Sequence, residues 1–326
     1  MFDGLRVAAV VPAHNEEAHI AKVVTSMPWL VDLIVVVDDA STDETAKVVS
    51  SLDDPRLVIV QHRENLGVGG AVISGHRAAL EHGAQLCAVM AGDGQMDPRY
   101  LPELLRPVAS GAFDYAKGNR FFTLGSDEGM PRNRKAGNAI LSVASKFASG
   151  YYNIFDSQNG YTVISAEMLA RLPLQRLAVG YSFENEMLIH LNVLRASVVD
   201  VAIPAHYEDE VSEIRLTRVI PEMMGSLASG LPRRIWMKYC VASFGAIALL
   251  LAIALLTGGL ALVVGIWAVT VSRGEASVSA GTALLIALPA MTSIVCFGLA
   301  LILDMGDSPG TSVRRTFRQT GGDSQE

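Results

Sequence analysis

The fold is decided by a short stretch near the N-terminus, residues 33–45, which reads LIVVVDDASTDET. Five apolar residues end abruptly in Asp38 and Asp39, without polar residues alternating among them. Such an uninterrupted run predicts a strand that is buried on both faces, as in a parallel sheet covered by helices. Ser41 or Thr42 could then cap a helix that continues to about residue 51. A strand followed by a helix is the repeating unit of an α/β fold.

The same alternation continues on both sides of this stretch. Further strands are predicted at residues 5–11, 57–60, 86–90, 161–165 and 198–203. Further helices are predicted at residues 16–27 (capped by Asn15), 67–82, 135–152, 183–194 and 216–231. Ligands of α/β sheets bind at the carboxyl ends of the strands. Asp39, Asp93 and Asp97 follow predicted strands, so we expect a functional site at that edge.

The C-terminal part has a different composition. Residues 240–271 and 276–303 contain no charged side chain, and each run exceeds the roughly 20 apolar residues that cross a bilayer. We therefore expect a transmembrane helical hairpin. Cations flank its outer ends: Arg233, Arg234 and Lys238 before the first run, and Arg314, Arg315 and Arg318 after the second. The positive-inside rule then predicts that both chain ends are cytoplasmic.

Charge and motif content exclude several function classes. The net charge of −7 and the pI of about 5.5 argue against nucleic acid as a partner. The three cysteines lie far apart, so neither a disulfide framework nor a zinc site is predicted. The glycines at residues 67–70 do not form a dinucleotide fingerprint, and a P-loop is absent from the sequence. What remains is a set of carboxylates at strand ends, which suits Mg²⁺ or Mn²⁺ bound together with substrate phosphates.

Eight short segments follow one another between residues 11 and 212. They are VPAHNEE (11–17), VDDASTD (37–43), NLG (65–67), GDGQMDP (92–98), GNR (118–120), RKAGN (134–138), DSQNGY (156–161) and YEDEVS (207–212). Their order and spacing resemble the signatures of family 2 glycosyltransferases, and the later ones resemble the polyprenol-phosphate branch, the dolichyl-phosphate mannose or glucose synthases. The resemblance covers about residues 5–215. It implies a GT-A (nucleotide-diphospho-sugar transferase, Rossmann-like) domain, a nucleoside-diphosphate sugar donor and a divalent metal, Mg²⁺ or Mn²⁺.

Motif position in this resemblance also implies roles for individual residues. The residues implied to hold the nucleotide sugar are Pro12, His14, Glu16, Val37, Asp39, Asp93, Gln95 and Arg120. Asp93 and Gln95 would face the metal, and Asp156, Asp93 and Arg120 would be the catalytic residues, with Asp156 orienting a partner or acting as a base. Basic residues at 132–135 would meet the acceptor phosphate: Arg132, Arg134 and Lys135.

One residue departs from the family pattern. The metal motif usually has two aspartates flanking one residue, and the first of them falls on Ala91 here. A methyl group cannot ligate a cation, so the metal would rest on Asp93, Gln95 and donor phosphates. Weaker metal binding and a shifted role for Asp97 are the two alternatives that this leaves open.

The expected protein is a multi-pass enzyme of the plasma membrane, an inverting transferase that moves a hexose from a UDP- or GDP-linked sugar to dolichyl or undecaprenyl phosphate. Its expected parts are a catalytic domain (1–215), a juxtamembrane amphipathic helix (216–238), two transmembrane helices (239–304) and a disordered cytoplasmic tail (305–326). A homo-oligomer is compatible with such an anchor. Two alternatives remain: a processive polysaccharide synthase, which the lack of a Gln-x-x-Arg-Trp motif disfavours, and a non-catalytic membrane scaffold with a degenerate metal site.

Overall fold

The computed structural model describes residues 1–120, 132–204, 216–272 and 279–309, with their side chains except those of residues 132–140, 216–220 and 272. The chain forms two compact units, which divide at Arg234 and again after Ser308. The second unit, Ile235–Ser308, contains both apolar runs. The predicted tail lies mostly outside the described residues, and the predicted domain boundaries stay predictions.

A mixed sheet of seven strands forms the centre of the first unit. Its strands are β1 (Val7–Ala13), β2 (Leu33–Asp38), β3 (Leu57–Gln61), β4 (Leu86–Val89), β5 (Tyr115–Asn119), β6 (Thr162–Ser165) and β7 (Val198–Ala202). They lie in the order β3-β2-β1-β4-β6-β5-β7. Among these strands β6 alone runs antiparallel to its neighbours. The start of β6 therefore lies at the edge where the other strands end, and we call this edge the rim.

The first unit also contains helices, several of which cover the two faces of the sheet. They are α1 (Ile20–Thr25), α2 (Thr45–Ser50), α3 (Val68–Glu81), α4 (Leu101–Ala109), α5 (Arg132–Ser149), α6 (Ala166–Arg171), α7 (Phe183–Val193) and α8 (Leu216–Ile235). Ala8 and Val10 of β1 pack in a core with α3, α6 and α7, whereas Val7, Ala9 and Val11 pack on the opposite face with α1 and α4. Because both faces are covered, successive strand residues are all apolar, which explains the pattern of residues 33–37.

Close packing of α3 on the sheet depends on Gly75. A Cβ atom at this position would collide with Cγ1 of Val10 and would lie 3.1 Å from Cγ2 of Val37. The helix can approach β1 and β2 this closely only because residue 75 has no side chain. This approach places the start of α3, and with it the NLG segment, beside the rim.

Three local expectations differ from the structure. Asn15 does not cap a helix: it adopts a left-handed φ of 59°, and α1 begins at Ile20. Neither Ser41 nor Thr42 is the cap of α2, which begins at Thr45. In both cases the polar residues are used instead to join the two rim loops to each other. The strand β5 was not expected, because its sequence, YAKGN, contains two polar side chains that become fully buried.

The apolar face of α8 is occupied by protein. Met223 and Leu227 pack with Leu141 and Ala148 of α5 and with Ile189 of α7. At its end, the buried guanidinium of Arg234 donates to the carbonyl oxygens of Ala148 (2.9 Å) and Phe147 (3.1 Å). The placement of residues 216–238 at a bilayer surface stays a prediction.

The second unit contains two helices that are long and apolar enough to cross a membrane, α9 (Ala246–Ser272) and α10 (Ala280–Gly306). Most of their large apolar side chains are exposed, unlike those of a core helix in a soluble protein. The two helices pack on each other, and Ser293 Oγ donates to the carbonyl oxygen of Ala254 at 2.7 Å. A π-helical segment, Trp236–Val241, precedes α9, and its Tyr239 hydroxyl donates to Asp304 Oδ1 of α10 at 2.6 Å.

Candidate active site

The rim brings together the ends of three neighbouring strands. At the end of β1, the amide of Asp39 donates to the carbonyl oxygen of Ala13 (2.9 Å), and on the other side the amide of Gly92 donates to that of Pro12 (3.0 Å). The loops after β2 and β4 therefore flank the loop after β1. The structure thus collects, along one edge, the Asp39 and Asp93 segments that are far apart in sequence.

Asp39 organises one end of this edge. Its buried carboxylate accepts hydrogen bonds from the amides of Leu66 (2.9 Å) and Gly67 (2.8 Å), and its Oδ1 lies 2.6 Å from His62 Nδ1. These partners use three of about four acceptor positions that a carboxylate offers. Asp39 thus fixes the NLG segment and retains one acceptor position. His62, which the sequence analysis did not single out, could have been found as a histidine directly after a strand that ends at the rim.

The loop after β1 is tied to the loop after β2. His14 Nδ1 lies 2.8 Å from the carbonyl oxygen of Asp39, Asn15 Oδ1 accepts from the amide of Thr42 (2.8 Å), and the amide of Glu16 donates to Thr45 Oγ1 (2.8 Å). The two loops form one connected wall. Of the other residues assigned to the nucleotide, Pro12 pairs with Val37 in the sheet, and the Val37 side chain is fully buried in the core. Val37 as a whole has no accessible surface, so the structure does not support its expected contact with the nucleotide.

The loop after β4 carries the residues assigned to the metal. Asp93 Oδ1 accepts from the amide of Gln95 at 3.0 Å, in a tight turn with Gly94 at a positive φ of 77°. Among the described residues, no group of three His, Cys, Asp or Glu side chains could hold a metal. One carboxylate and one amide on a turn fit a Mg²⁺ or Mn²⁺ ion whose remaining ligands come from phosphate and water. They do not fit an ion held by protein alone.

Both carboxylate oxygens of Asp97 are bound to Arg99. Its Oδ1 accepts from the amide of Arg99 (2.9 Å), and its Oδ2 forms an ion pair with the Arg99 guanidinium (2.6 Å). This arrangement caps the short helical turn at Pro98–Tyr100. Of the two alternatives that Ala91 left open, a metal-binding role for Asp97 is therefore the one that the geometry disfavours.

Arg120 and Asp156 form a two-pronged ion pair. Arg120 Nε donates to Asp156 Oδ2 (2.8 Å) and Nη2 donates to Oδ1 (3.1 Å), while the Arg120 amide also donates to Oδ2 (3.2 Å). Asp156 is 2% exposed, whereas the Arg120 side chain is 35% exposed. A buried carboxylate that holds an accessible guanidinium in two hydrogen bonds fixes its orientation. This geometry favours the orienting role of Asp156 over the role of a base.

Arg120 shares a cleft with Gln95 of the turn after β4. This solvent-open cleft is lined by Gln95, Asp97, Arg120 and Tyr161, among others. Gln95 precedes α4 and Arg120 follows β5, yet the sheet order brings both to one cavity. The structure therefore joins two of the residues that motif position assigned to the nucleotide sugar.

A buried polar network, not expected from the sequence, lies behind the ion pair. Lys117 Nζ donates to Glu184 Oε2 (2.6 Å), and Asn119 Nδ2 donates to Asp200 Oδ2 (2.5 Å). Burial raises the pKa of Asp200 to about 6, against the lowering effects of its hydrogen bonds to the Phe155 amide and Asn119 and of the nearby Lys117. Polar residues inside the otherwise apolar strands β5 and β7 were the available signal.

Three exposed apolar side chains lie on α5 and just before Asp156 in the chain. Val143, Phe147 and Phe155 are 53%, 40% and 46% exposed, and Phe155 directly precedes Asp156. Lys146 lies over the Phe155 ring, 3.6 Å from its centre. We call the side chains of Val143, Phe147 and Phe155 the apolar patch. The residues assigned to the acceptor phosphate, Arg132, Arg134 and Lys135, begin α5, but their side chains lie outside the described residues.

Known proteins share both sequence and fold with this chain. It is 31% identical over 226 residues to the UDP-N-acetylglucosamine–dolichyl-phosphate N-acetylglucosaminyltransferase of Methanococcus voltae, over 65% of this chain and 89% of the relative. It is 29% identical over 221 residues to the undecaprenyl-phosphate mannosyltransferase of Micrococcus luteus, over 65% and 88% of the two chains.

Solved structures support the fold. The glucosyl-3-phosphoglycerate synthase of Mycobacterium tuberculosis, solved with UDP, superposes with a TM-score of 0.53 at 22% identity, over 71% of this chain and 80% of that one. The same enzyme has been solved with UDP and Mg²⁺. The expected GT-A fold is confirmed. Residues 8–172, about half of the chain, match the profile described as Glycosyl transferase family 2. The chain therefore belongs to glycosyl transferase family 2, and it is a glycosyltransferase.

Proposed function

We propose that this glycosyltransferase moves a hexose from a nucleoside-diphosphate sugar to a polyprenyl phosphate, with inversion at the anomeric carbon. The observation that carries the proposal is the position of Arg120. It is held by Asp156 in the same cleft as Gln95, and Asp156 directly follows the exposed Phe155. An accessible guanidinium whose partner carboxylate follows an exposed aromatic residue suits a phosphate that is attached to a hydrocarbon chain.

The relatives support this acceptor. One is named for dolichyl phosphate and another for undecaprenyl phosphate, and each aligns over most of its own length. Their names give different sugars, N-acetylglucosamine and mannose. The proposal therefore specifies a hexose without choosing among hexoses, and it leaves open whether the donor carries UDP or GDP.

The chemistry needs little help from a base. A phosphate monoester has a second pKa near 6, so the acceptor oxygen is already anionic at neutral pH. It attacks the anomeric carbon in line, the new carbon–oxygen bond forms, and the bond to the nucleoside diphosphate breaks. Charge then accumulates on the leaving diphosphate, where a cation contributes most. Arg120 would stabilise a phosphate there, and Asp156 would keep its guanidinium in place.

A divalent ion fits the donor end of the cleft. Asp93 and Gln95 would hold Mg²⁺ or Mn²⁺ together with the donor phosphates, and the ion would neutralise charge on the diphosphate. Asp39, His14, Glu16 and the backbone of the β1 loop would hold the nucleoside. Arg132, Arg134 and Lys135 are proposed to meet the acceptor phosphate.

We further propose that α9 and α10 anchor the enzyme in the plasma membrane, with the catalytic domain and both chain ends in the cytoplasm. The length and hydropathy of the two helices support spanning, and the flanking arginines support the orientation. A membrane anchor would keep the enzyme at the surface that presents a lipid phosphate.

One incubation tests the proposal. Membranes that contain the full chain are mixed with labelled UDP- or GDP-sugars and polyprenyl phosphate, with polyprenyl phosphate omitted as the control. We expect label in a lipid that extracts into organic solvent and is released by mild acid. Label in a long polymer would instead support a processive synthase. The absence of labelled lipid with every donor would refute the proposed acceptor.

A further inference from the structure

Asp200 joins the two chain segments that carry the Arg120–Asp156 pair. It lies on β7, opposite Lys117 of β5. Its Oδ2 accepts from Asn119 Nδ2 at 2.5 Å and from the amide of Phe155 at 2.8 Å. Asn119 directly precedes Arg120, and Phe155 directly precedes Asp156. A single oxygen atom is thus bound to the residue before each member of the pair.

This arrangement is buried and specific. Asp200 is 9% exposed and Asn119 is fully buried. A buried carboxylate is costly unless it is hydrogen-bonded, and its second oxygen, Oδ1, is buried without a hydrogen-bond partner among the described residues. A strand that needed only to pack would be better served by an apolar residue at this position. A carboxylate at this position is explained if it fixes the two chain segments to which it is hydrogen-bonded.

We infer that Asp200 is a positioning residue for sugar transfer, which sets the Arg120 guanidinium and the Asp156 carboxylate in register through Asn119 and Phe155. The inference rests on the proposed function of that pair. The two hydrogen bonds of Asp200 Oδ2 go to Asn119 and Phe155, not to Arg120 or Asp156. Its effect therefore passes along the chain, from Asn119 to Arg120 and from Phe155 to Asp156.

The charge of Asp200 changes in a pH range in which enzyme activity can be measured. Burial raises its pKa to about 6. The charged groups that face it are Lys117 on β5, Lys146 on α5 and Asp156. Below that pH a proton on Oδ1 leaves Oδ2 able to accept, but the two hydrogen bonds lose their charge assistance and weaken. The neutral acid then resembles an asparagine at this position.

Two substitutions and a matched control test the inference. Asp200→Ala removes the acceptor, and Asp200→Asn keeps an acceptor without the charge. The control is Asp114→Ala: Asp114 Oδ2 also joins β5 to β7, by accepting from the amide of Ser197 (2.7 Å) and its hydroxyl (2.8 Å), but at the ends of these strands away from the rim. A general loss of β5–β7 pairing would affect both positions alike.

We expect Asp200→Ala to lower kcat at least tenfold while KM for the nucleotide sugar changes less than threefold, and Asp114→Ala to retain the wild-type kcat. The ratio of wild-type to Asp200→Asn rates should be near one below pH 6 and rise above it. Because the acceptor phosphate titrates in the same range for both proteins, its effect cancels in this ratio. A ratio that is flat from pH 5 to 8, or a wild-type kcat in Asp200→Ala, would overturn the inference.

Hydrogen exchange separates this inference from the proposed function. In Asp200→Ala the amide of Phe155 loses its acceptor, so exchange in a peptide that covers residues 150–160 should accelerate at least tenfold, and the Asp114→Ala protein should show the wild-type rate. Unchanged exchange would overturn the positioning role even if no sugar were transferred. Absence of transfer by the wild-type protein would instead overturn the acceptor assignment. If Asp200→Ala does not fold, the pH-dependent ratio of Asp200→Asn decides.

Discussion

Arg120 holds its position through three hydrogen bonds to one buried carboxylate, and two of them use the planar fork of the guanidinium. A lysine has a single charged nitrogen and cannot reproduce this bidentate geometry. About a third of the side chain remains exposed to the cleft, so the group is both fixed and accessible. These two properties suit the phosphate-binding role that we propose for Arg120.

We expect Arg120→Ala to lower turnover at least tenfold, since the diphosphate or the acceptor phosphate loses its oriented cation. Arg120→Lys should restore only part of the rate, because the charge returns without the fork. The measurement is transfer to polyprenyl phosphate at saturating donor, with circular dichroism to confirm folding. Arg99→Ala is the control, since Arg99 is an exposed partner of Asp97. Equal rates for Arg120→Ala and the wild type would remove Arg120 from the site.

A second prediction concerns the metal. Asp93→Ala should lower turnover at least tenfold and raise the Mn²⁺ concentration needed for half-maximal rate, because Asp93 supplies the carboxylate of the turn. Asp97→Asn should leave that concentration unchanged, because both Asp97 oxygens are bound to Arg99. Chelation should abolish transfer and added Mn²⁺ should restore it. A larger metal shift in Asp97→Asn than in Asp93→Ala would reverse the two assignments.

The positions of Asp39 and Asp93 at strand ends were predictable, because each follows an apolar run that ends abruptly, whereas Arg120 was singled out by its motif alone. Spacing could not show that Gln95 and Arg120 share a cleft, because that depends on the sheet order. Asp200 gave a weaker signal. One aspartate within an apolar strand looks the same in sequence whether it faces solvent or a buried asparagine.

At the scale of elements, the contact between α3 and β1 depends on a missing side chain. Gly75→Ala should destabilise the fold by about 1–3 kcal/mol, because the new methyl group overlaps Val10. Gly225→Ala in α8 is the matched control: it has open space around its Cβ position, and alanine should stabilise the helix by up to about 1 kcal/mol. Thermal unfolding of the full chain in detergent measures both. Equal effects would show that α3 does not depend on this contact.

Elements built from uninterrupted apolar runs were predicted well, and β6 and β7 also lie close to their expected positions, whereas β5 was missed. The first four strands and α3 appear close to their expected positions, because burial on both faces leaves an unmistakable apolar run. Strand β5 was missed because Lys117 and Asn119 interrupt its pattern. The starts of α1 and α2 were placed too early, because Asn15 and Ser41 bind each other's loops rather than helix ends.

For the whole molecule, orientation in the membrane is testable. With Cys240 and Cys296 replaced by serine, a membrane-impermeant maleimide should label Ala280→Cys, at the start of α10, in intact cells. Ser50→Cys in the catalytic domain should react only after permeabilisation, because that domain is proposed to be cytoplasmic. The buried Cys87 provides the background. Labelling of Ser50→Cys in intact cells would invert the proposed topology.

The reversed direction of β6 has a consequence for how such enzymes diversify. Because β6 starts where its neighbours end, the Asp156 segment enters the sheet beside Arg120, while the loops assigned to the nucleotide leave from β1, β2 and β4. On the proposed assignment, the sugar donor and the lipid are bound by different stretches of chain, and these stretches meet at Arg120. A lineage could then exchange one substrate while inheriting the other, and a chimaera that takes residues 119–161 from a relative should change its preferred lipid and keep its sugar.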